Sequence, residues 1–179
     1  MADAGLITLP PKKLNVEKTI CNTKVPPVPA TKIKCSLSRL RPVTVEPVPF
    51  EEIALWNATL AAHHPLGLGQ PFGAHQRYWI YSRAEGAIQV LGAILFAAPA
   101  KKLADRDAWI CWTDLERRRF RCRLLGNSRF LILPGVQVPH RASHVLAIAV
   151  RRLRVDWSKR YGYAPVLTTH PAFLNGGLQ

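Results

Sequence analysis

The strongest periodic pattern in the chain lies near its C-terminal end. From about residue 141 to residue 157, apolar residues recur at helical spacing, with Arg151 and Arg154 between them. This pattern predicts a helix in which the two arginines point away from the core. Its predicted buried face consists of Ala142, Leu146, Ala149, Val150, Leu153 and Trp157.

Short apolar runs flank this helix on both sides. Residues 130–133, closed by Pro134, predict a buried strand, and residues 165–169 predict a last strand. The order strand, helix, strand predicts a right-handed parallel crossover.

Upstream, the pattern predicts one helix and a hairpin. The helix begins at Pro49 with two acidic residues in its first turn, and residues 63–67 stop it. Residues 76–82 and 87–96 predict two strands, and residues 83–86 form a plausible turn between them. Residues 33–48 are mixed and proline-punctuated, which suits an edge strand.

The segment between the hairpin and the strand at 130–133 is harder to assign. Residues 99–107 predict a polar connector or short helix, and residues 109–112 predict a brief strand. Residues 115–125 are arginine-dense and predict one helix ended by Gly126. The fold class expected is therefore α/β, with a mixed α+β sheet made of a hairpin followed by a strand-helix-strand crossover.

Composition divides the chain into a domain and two ends. Residues 1–35 contain repeated prolines and no sustained period, so we expect a proline-rich flexible tail or a strap lying on the domain. Residues 36–170 form the predicted domain, and residues 171–179 form a divergent C-terminal end. The N-terminus has no basic region followed by a long apolar run, so no secretory signal is expected.

The distribution of charge along the chain indicates a negatively charged binding partner. The net charge is +14, and residues 101–160 hold 15 Lys and Arg against 5 Asp and Glu. Arginine outnumbers lysine 12 to 3 in that block, and guanidinium groups bind phosphates with two parallel hydrogen bonds. A polyanion partner, most often nucleic acid, and DNA before RNA, is the interpretation we favour. A merely solubilising surface is the alternative.

The turn before the long helix is the first candidate site. A helix N-terminus offers free N–H groups and a positive dipole end, which suit an anion. Arg141 could hold a phosphate there, and His140 or His144 could move a proton near neutral pH. Ser143 would contact a ligand or merely cap the helix. Asn127, at the start of the preceding strand, would contact ligand or form a turn.

The arginine run is the second candidate site, and it would contact phosphate backbone without reading sequence. The residues assigned to nucleic-acid binding are Arg117, Arg118, Arg119, Arg121, Arg123, Arg129 and Arg141.

Arg106 and Asp107 form a third candidate. The pair would be a structural ion pair, the commoner case, or Asp107 would act as a base or ligand. As a further alternative, the pair would order a nucleic-acid groove in which Trp109 or Trp112 stacks on a base. Because strand tryptophans are usually buried, the structural interpretation is favoured.

The cysteines and histidines predict no metal site. The four cysteines have no zinc-ligand spacing, and the adjacent residues His63 and His64 would point apart on a helix. Reduced thiols in a cytoplasmic protein are expected, and the sequence leaves the cofactor unknown. The longest apolar run, residues 90–98, is too short to cross a bilayer.

A spaced series of motifs extends over residues 37–168. It comprises His64-Pro65-Leu66-Gly67, Arg77-Tyr78, Arg106 to Trp112, Asn127 to Pro134, Ala142 to Leu146, Asp156-Trp157 and Tyr161 to Leu167. This series resembles the DruA family of the Druantia anti-phage system. The resemblance implies a role in bacterial defence or on a mobile element, beside other defence proteins such as a helicase-like partner.

The chain also departs from the pattern of that family. Cys111 stands where members commonly have glycine, and Gly135 stands where tryptophan is common. After residue 168 the acidic stretch and basic tail usual in the family are missing, so we expect a truncated copy.

Two functional hypotheses follow from these observations. The first is a defence component that binds nucleic acid through an arginine-rich face. The second is an acetyltransferase-like enzyme, because the order of elements also resembles the core of that fold. The turn at 139–143 lacks the glycine that lets a backbone approach a pyrophosphate. An inactive remnant is the remaining alternative.

Overall fold

The computed structural model describes residues 25–71, 73–99 and 104–169 of the 179-residue chain. The elements within them are β1 (Ile33–Lys34), α1 (Leu37–Leu40), β2 (Val43–Pro47), α2 (Ile53–His63), β3 (His75–Ser82), β4 (Gln89–Ala97), α3 (Ala104–Ile110), α4 (Asp114–Phe120), β5 (Leu124–Ile132), β6 (Val136–Gln137), α5 (Arg141–Tyr161) and β7 (Leu167–Thr169).

Five strands form the main sheet, in the order β2-β3-β4-β5-β7. Strands β2 to β5 pair antiparallel, whereas β7 pairs parallel with β5. Strands β1 and β6 form a separate parallel pair. The predicted mixed α/β class, its hairpin and its parallel return after a long helix are confirmed.

Helix α5 covers one face of the sheet. Its buried residues are Val145, Ala149, Leu153 and Trp157, spaced by four along the helix. Near its C-terminal end, Arg160 Nη1 donates a hydrogen bond to Gln76 Oε1 at 2.9 Å. The predicted burial of Val150 is wrong, because this side chain is 38% exposed and lies one position past the buried row. Arg151 and Arg154 are exposed, as predicted.

Helix α2 covers the opposite face. Trp79 Nε1 donates to Glu52 Oε2 at 2.8 Å, and the Arg77 guanidinium lies 5.5 Å from the centroid of the Trp56 ring. Since side chains alternate along a strand, these β3 residues point away from the face that holds Gln76. The helix ends at His64, as predicted, where the chain becomes extended.

A bulge in β5 separates two of the predicted site residues. Arg129 pairs with Leu95, but the next pair is Asn127 with Phe96, so Ser128 is an extra residue. The extra residue shifts the alternation of side chains by one position. Asn127 and Arg129 therefore lie on opposite faces of the sheet, and the predicted turn at Asn127 is wrong because the residue lies inside a strand.

Two other predicted elements are wrong. The segment 109–112 is not a strand, because Trp109 and Ile110 end helix α3. The helix predicted over 115–125 is shorter, since α4 ends at Phe120 and residues 121–123 form a single 3-10 turn. Leu124 and Leu125 are buried in β5, and pairing with β7 there outweighs helix propensity.

Residues 25–35 lie against the domain. The Val28 amide donates to Thr59 Oγ1 at 3.0 Å, and the Ile33 amide donates to the Gly135 carbonyl at 2.9 Å. A Cβ at Gly135 would collide with the Thr31 carbonyl oxygen, so the absence of a side chain permits this contact. The rest of the predicted tail, residues 1–24, and the predicted C-terminal end at 171–179 lie outside the described residues.

Within the described segments, no helix combines the length and the apolar character needed to cross a membrane.

Candidate functional site

A sharp corner joins helices α3 and α4. Cys111 adopts a left-handed backbone conformation, with φ 57°, and ends α3. Thr113 then begins α4 with a capping box: its hydroxyl accepts from the Glu116 amide, and its own amide donates to Glu116 Oε2 at 2.9 Å. The Thr113 amide and hydroxyl both donate to Glu116 Oε2, and these two bonds hold the pKa of the Glu116 carboxyl below the ordinary value.

An ion-pair cluster holds the two helices together. Arg106 Nη2 lies 2.7 Å from Asp107 Oδ1, and Arg117 Nη1 lies 3.6 Å from Asp107 Oδ2. Arg117 also contacts Asp114 at 2.7 Å. The Arg106 side chain is only 4% exposed, so the predicted structural ion pair is present in the fold. This arrangement leaves the Asp107 carboxylate engaged by two guanidinium groups rather than positioned as a base.

The remaining arginines of the run point into solvent. Arg118, Arg119, Arg121 and Arg123 are exposed, and none of them has a carboxylate within 4 Å among the residues the structure describes. Because helix α4 ends at Phe120, these side chains are distributed over α4 and the following 3-10 turn. Four unpaired positive charges therefore lie within six residues.

The same segment of the chain carries three aromatic side chains. The Trp112 and Phe120 rings are 5.9 Å apart, and the Arg119 guanidinium lies 5.4 Å from the Phe120 centroid. Trp109 is 76% exposed at the end of α3. We call this region the arginine–tryptophan surface, defined as Trp109, Trp112, Arg118, Arg119, Phe120, Arg121 and Arg123.

The exposure of Trp109 is the feature that sequence reasoning assigned wrongly. The expectation that Trp109 is buried depended on a strand at 109–112, because strand tryptophans are usually buried. The signal that could have found it is the Asp107 anchor, because a residue two positions further along a helix points almost directly away from it.

The turn before α5 is built differently from a phosphate-binding turn. His140 precedes the helix with φ 57°, and its side chain makes no capping hydrogen bond. Arg141 folds back on the turn, with Nη1 donating to the Val138 carbonyl at 2.8 Å. Ser143 is exposed, whereas His144 is half-buried.

A groove of about 450 Å³ runs beside this turn. Its lining residues are Arg41, Pro42, Val43, His144 and Ile148. Of the predicted site residues, His144 lines the groove, and Arg41 adds a positive charge from the chain segment before β2. The predicted positive turn therefore adjoins a concavity.

The predicted site residues do not form one site. The arginine run precedes β5 and the turn follows it, so the nine residues of β5 separate them by about 30 Å. Asp107 lies with the arginine run, and His140 and His144 lie at the other end. A single catalytic group of these three residues is therefore not present in the fold.

Residues 17–175 match the family model described as Druantia protein DruA. The chain belongs to the DruA family. It is therefore a DruA-type component of Druantia anti-phage defence. No curated protein and no solved structure matches the chain.

One departure of this DruA family member from the family pattern has a structural consequence. Cys111, at a position where the resemblance predicts glycine, adopts the left-handed conformation that glycine accepts without strain. The thiol is exposed and free.

Arg129, in β5, contacts the loop that follows α2. Arg129 Nε donates to the Gly67 carbonyl at 2.9 Å, and a Cβ at Gly69 would collide with the guanidinium. Burial, with a smaller contribution from the charge of Arg129, lowers the pKa of His64. Arg129 therefore secures the loop after α2, which is a different role from the predicted contact with nucleic acid.

No three His, Cys, Asp or Glu side chains lie close enough to hold a metal ion in the part of the chain that the structure describes. Cys35, Cys111 and Cys122 are free thiols.

Proposed function

We propose that this DruA family member binds nucleic acid through its arginine–tryptophan surface and acts in this way within Druantia defence. The four exposed arginines of this surface, which have no carboxylate within 4 Å among the described residues, carry the proposal. We also propose that it acts together with a helicase-like defence protein. A cytoplasmic location is part of the proposal and suits the free thiols.

Charge balance supports a polyanionic ligand. A carboxylate beside an exposed arginine would lower the local positive potential, yet Arg118, Arg119, Arg121 and Arg123 have none within 4 Å in the described structure. Nearby Asp107 and Asp114 are already engaged by Arg106 and Arg117. The positive potential is therefore available to phosphates, and binding would release their condensed counterions.

The chemistry of the side chains supports the same ligand. A planar guanidinium group can donate two parallel hydrogen bonds to one phosphate and can also stack on a base. Contacts of this kind position the nucleic acid without selecting a sequence. We therefore propose a backbone-binding surface rather than a sequence reader.

An acetyltransferase-like enzyme has weaker support. The parallel pairing of β5 with β7 and the groove at His144 favour it. Against it, no glycine lies between Pro139 and α5, and Arg141 is folded back onto Val138. Asp107, the one carboxylate among the candidate catalytic residues, lies at the other end of β5 from His140 and His144.

Salt dependence tests the proposal. Four phosphate contacts predict that affinity for a labelled DNA oligonucleotide falls about 50- to 150-fold between about 50 and 200 mM salt. Fluorescence anisotropy of the full chain measures this slope. Absence of binding at the lowest salt concentration would remove the proposal.

A further inference from the structure

Trp109 is exposed to an extent that the other tryptophans are not. Trp56, Trp79 and Trp157 are at most 1% exposed and Trp112 is half-buried, whereas Trp109 is 76% exposed. Leaving most of an indole ring in water forgoes stabilisation that its burial would provide. The position therefore suggests a binding role.

The ion-pair cluster fixes the direction in which Trp109 points. Asp107 is anchored inward by Arg106 and Arg117, and Trp109 follows it by two residues, or about 200° around the helix. The same cluster holds α3 against α4. The helix that carries the indole and the helix that begins the arginine run are therefore fixed to each other.

We infer that Trp109 is a stacking platform for an unpaired base of single-stranded nucleic acid. This inference rests on the proposed function, because the phosphates of that strand would be held by Arg118, Arg119, Arg121 and Arg123. An indole face binds the face of a base, and bases in a duplex are already stacked on their neighbours. Only an unpaired nucleotide presents both a free ring face and a flanking phosphate to this surface.

Charge distinguishes this ligand from a protein partner. A protein that covers this corner of the fold would also have to neutralise the exposed arginines of α4 and the following turn, and single-stranded nucleic acid supplies aromatic rings and negative charges in one repeating unit. Arg119 stacked on Phe120 shows that this surface already combines cations with rings.

Leu115 provides a matched control. It lies on α4, it is apolar, and its exposed fraction is 76%, the same as that of Trp109. Truncation of either side chain removes exposed apolar surface, but only truncation of Trp109 removes a stacking face.

The test compares the affinities of the full chain for a single-stranded DNA oligonucleotide and for the same sequence as a duplex. We expect Trp109→Ala to weaken single-strand binding at least about fivefold and to leave duplex binding unchanged. Trp109→Phe should recover part of the loss, and Leu115→Ala should bind both probes as the wild type does. The salt slope should be the same for Trp109→Ala and wild type, because no charge is removed.

The outcomes separate the two claims. Salt-dependent binding that is unaffected by Trp109→Ala would overturn stacking while leaving the proposed function intact. Equal losses from Trp109→Ala and Leu115→Ala would also overturn it, because any apolar contact would then explain the effect. If the wild-type chain binds neither probe at low salt, both claims fail.

Discussion

Cys111 holds its backbone in the left-handed region at the corner between α3 and α4, with φ 57°. A side chain in this conformation crowds the following carbonyl oxygen, at a cost of about 1–2 kcal/mol. The corner nevertheless positions Trp109 on one side and the capped helix α4 on the other. The corner tolerates the strained backbone at this residue because the ion pairs of Arg106 and Arg117 hold α3 and α4 together.

We expect Cys111→Gly to stabilise the protein by about 1 kcal/mol, which corresponds to a rise in Tm of about 2–4 °C. The physical reason is relief of the strained backbone. Thermal unfolding measures the effect. Cys111→Ala, which loses the thiol but keeps a Cβ, should not show the gain, and an equal gain in that variant would refute the explanation.

His64 provides a residue-scale prediction about pH. Burial and the charge of Arg129 lower its pKa in the folded protein below the ordinary value of 6.5. The unfolded chain therefore takes up this proton at higher pH than the folded chain does. Its contribution to stability is intact above pH 6.5 and is lost as the pH falls from 6.5 towards the folded pKa.

The matched variant is His64→Asn, because the Asn side-chain oxygen can accept the Leu66 amide that now donates to His64 Nδ1 at 3.1 Å. Urea unfolding of both proteins from about pH 7.5 to about pH 5.5 should show a steeper loss of stability in the wild type. Parallel profiles for the two proteins would contradict the assignment.

At the residue scale, the sequence predicted which charged side chains are exposed or paired better than it predicted on which face of the sheet a side chain lies. The exposed arginines and the Arg106–Asp107 pair were expected from composition and adjacency. The separation of Asn127 from Arg129 was not, because one bulged residue in β5 reverses which face a side chain occupies. A bulge depends on the partner strand β4, which no local pattern reveals.

Among the elements, α4 depends most on its cap. It has seven residues, and a helix of that length is marginal without tertiary support or capping. The reciprocal bonds between Thr113 and Glu116 satisfy two of its free amide groups. The arrangement of Arg118 and Arg119 therefore depends on Thr113.

We expect Thr113→Ala to destabilise the α3–α4 corner by about 1 kcal/mol. Amide hydrogen exchange across residues 114–120 should accelerate, whereas exchange in α5 should stay unchanged. Thr113→Ser retains both capping bonds and serves as the control. Unchanged exchange in α4 of the alanine variant would show that the capping box does not stabilise this helix.

The elements that the sequence predicted correctly are those with long, regular patterns. Helix α5 has a sustained row of buried residues, β4 is apolar throughout after Gln89, and β3 has the run Tyr78 to Tyr81 at its centre. The prediction for the segment 109–125 was wrong because its short apolar runs fit a helix and a strand equally well. Pairing of Leu124 and Leu125 in the sheet decides the outcome there, and that interaction is non-local.

Across the whole molecule, the predicted residues divide between the two ends of β5. The arginine–tryptophan surface lies at one end, and the groove lined by Arg41 and His144 lies at the other. The sequence predicted both regions as basic but could not predict their separation, because distance depends on how the intervening strand is oriented. The family membership was visible in the spaced motifs, which together span most of the fold.

The central claim is that one surface, rather than the overall charge of +14, binds nucleic acid. Its most direct test compares two variants that each lose four exposed positive charges. The first replaces Arg118, Arg119, Arg121 and Arg123 with Gln. The second replaces Arg39, Arg151, Arg154 and Lys159 with Gln; these residues lie on α1 and α5 and have no ion pair in the described structure.

The measurement is the slope of log affinity against log salt concentration for a single-stranded DNA oligonucleotide. We predict that the first variant loses about 3 units of slope, about 0.7 for each phosphate contact, while the second keeps the wild-type slope. Equal losses in the two variants, or no loss in the first, would contradict the account.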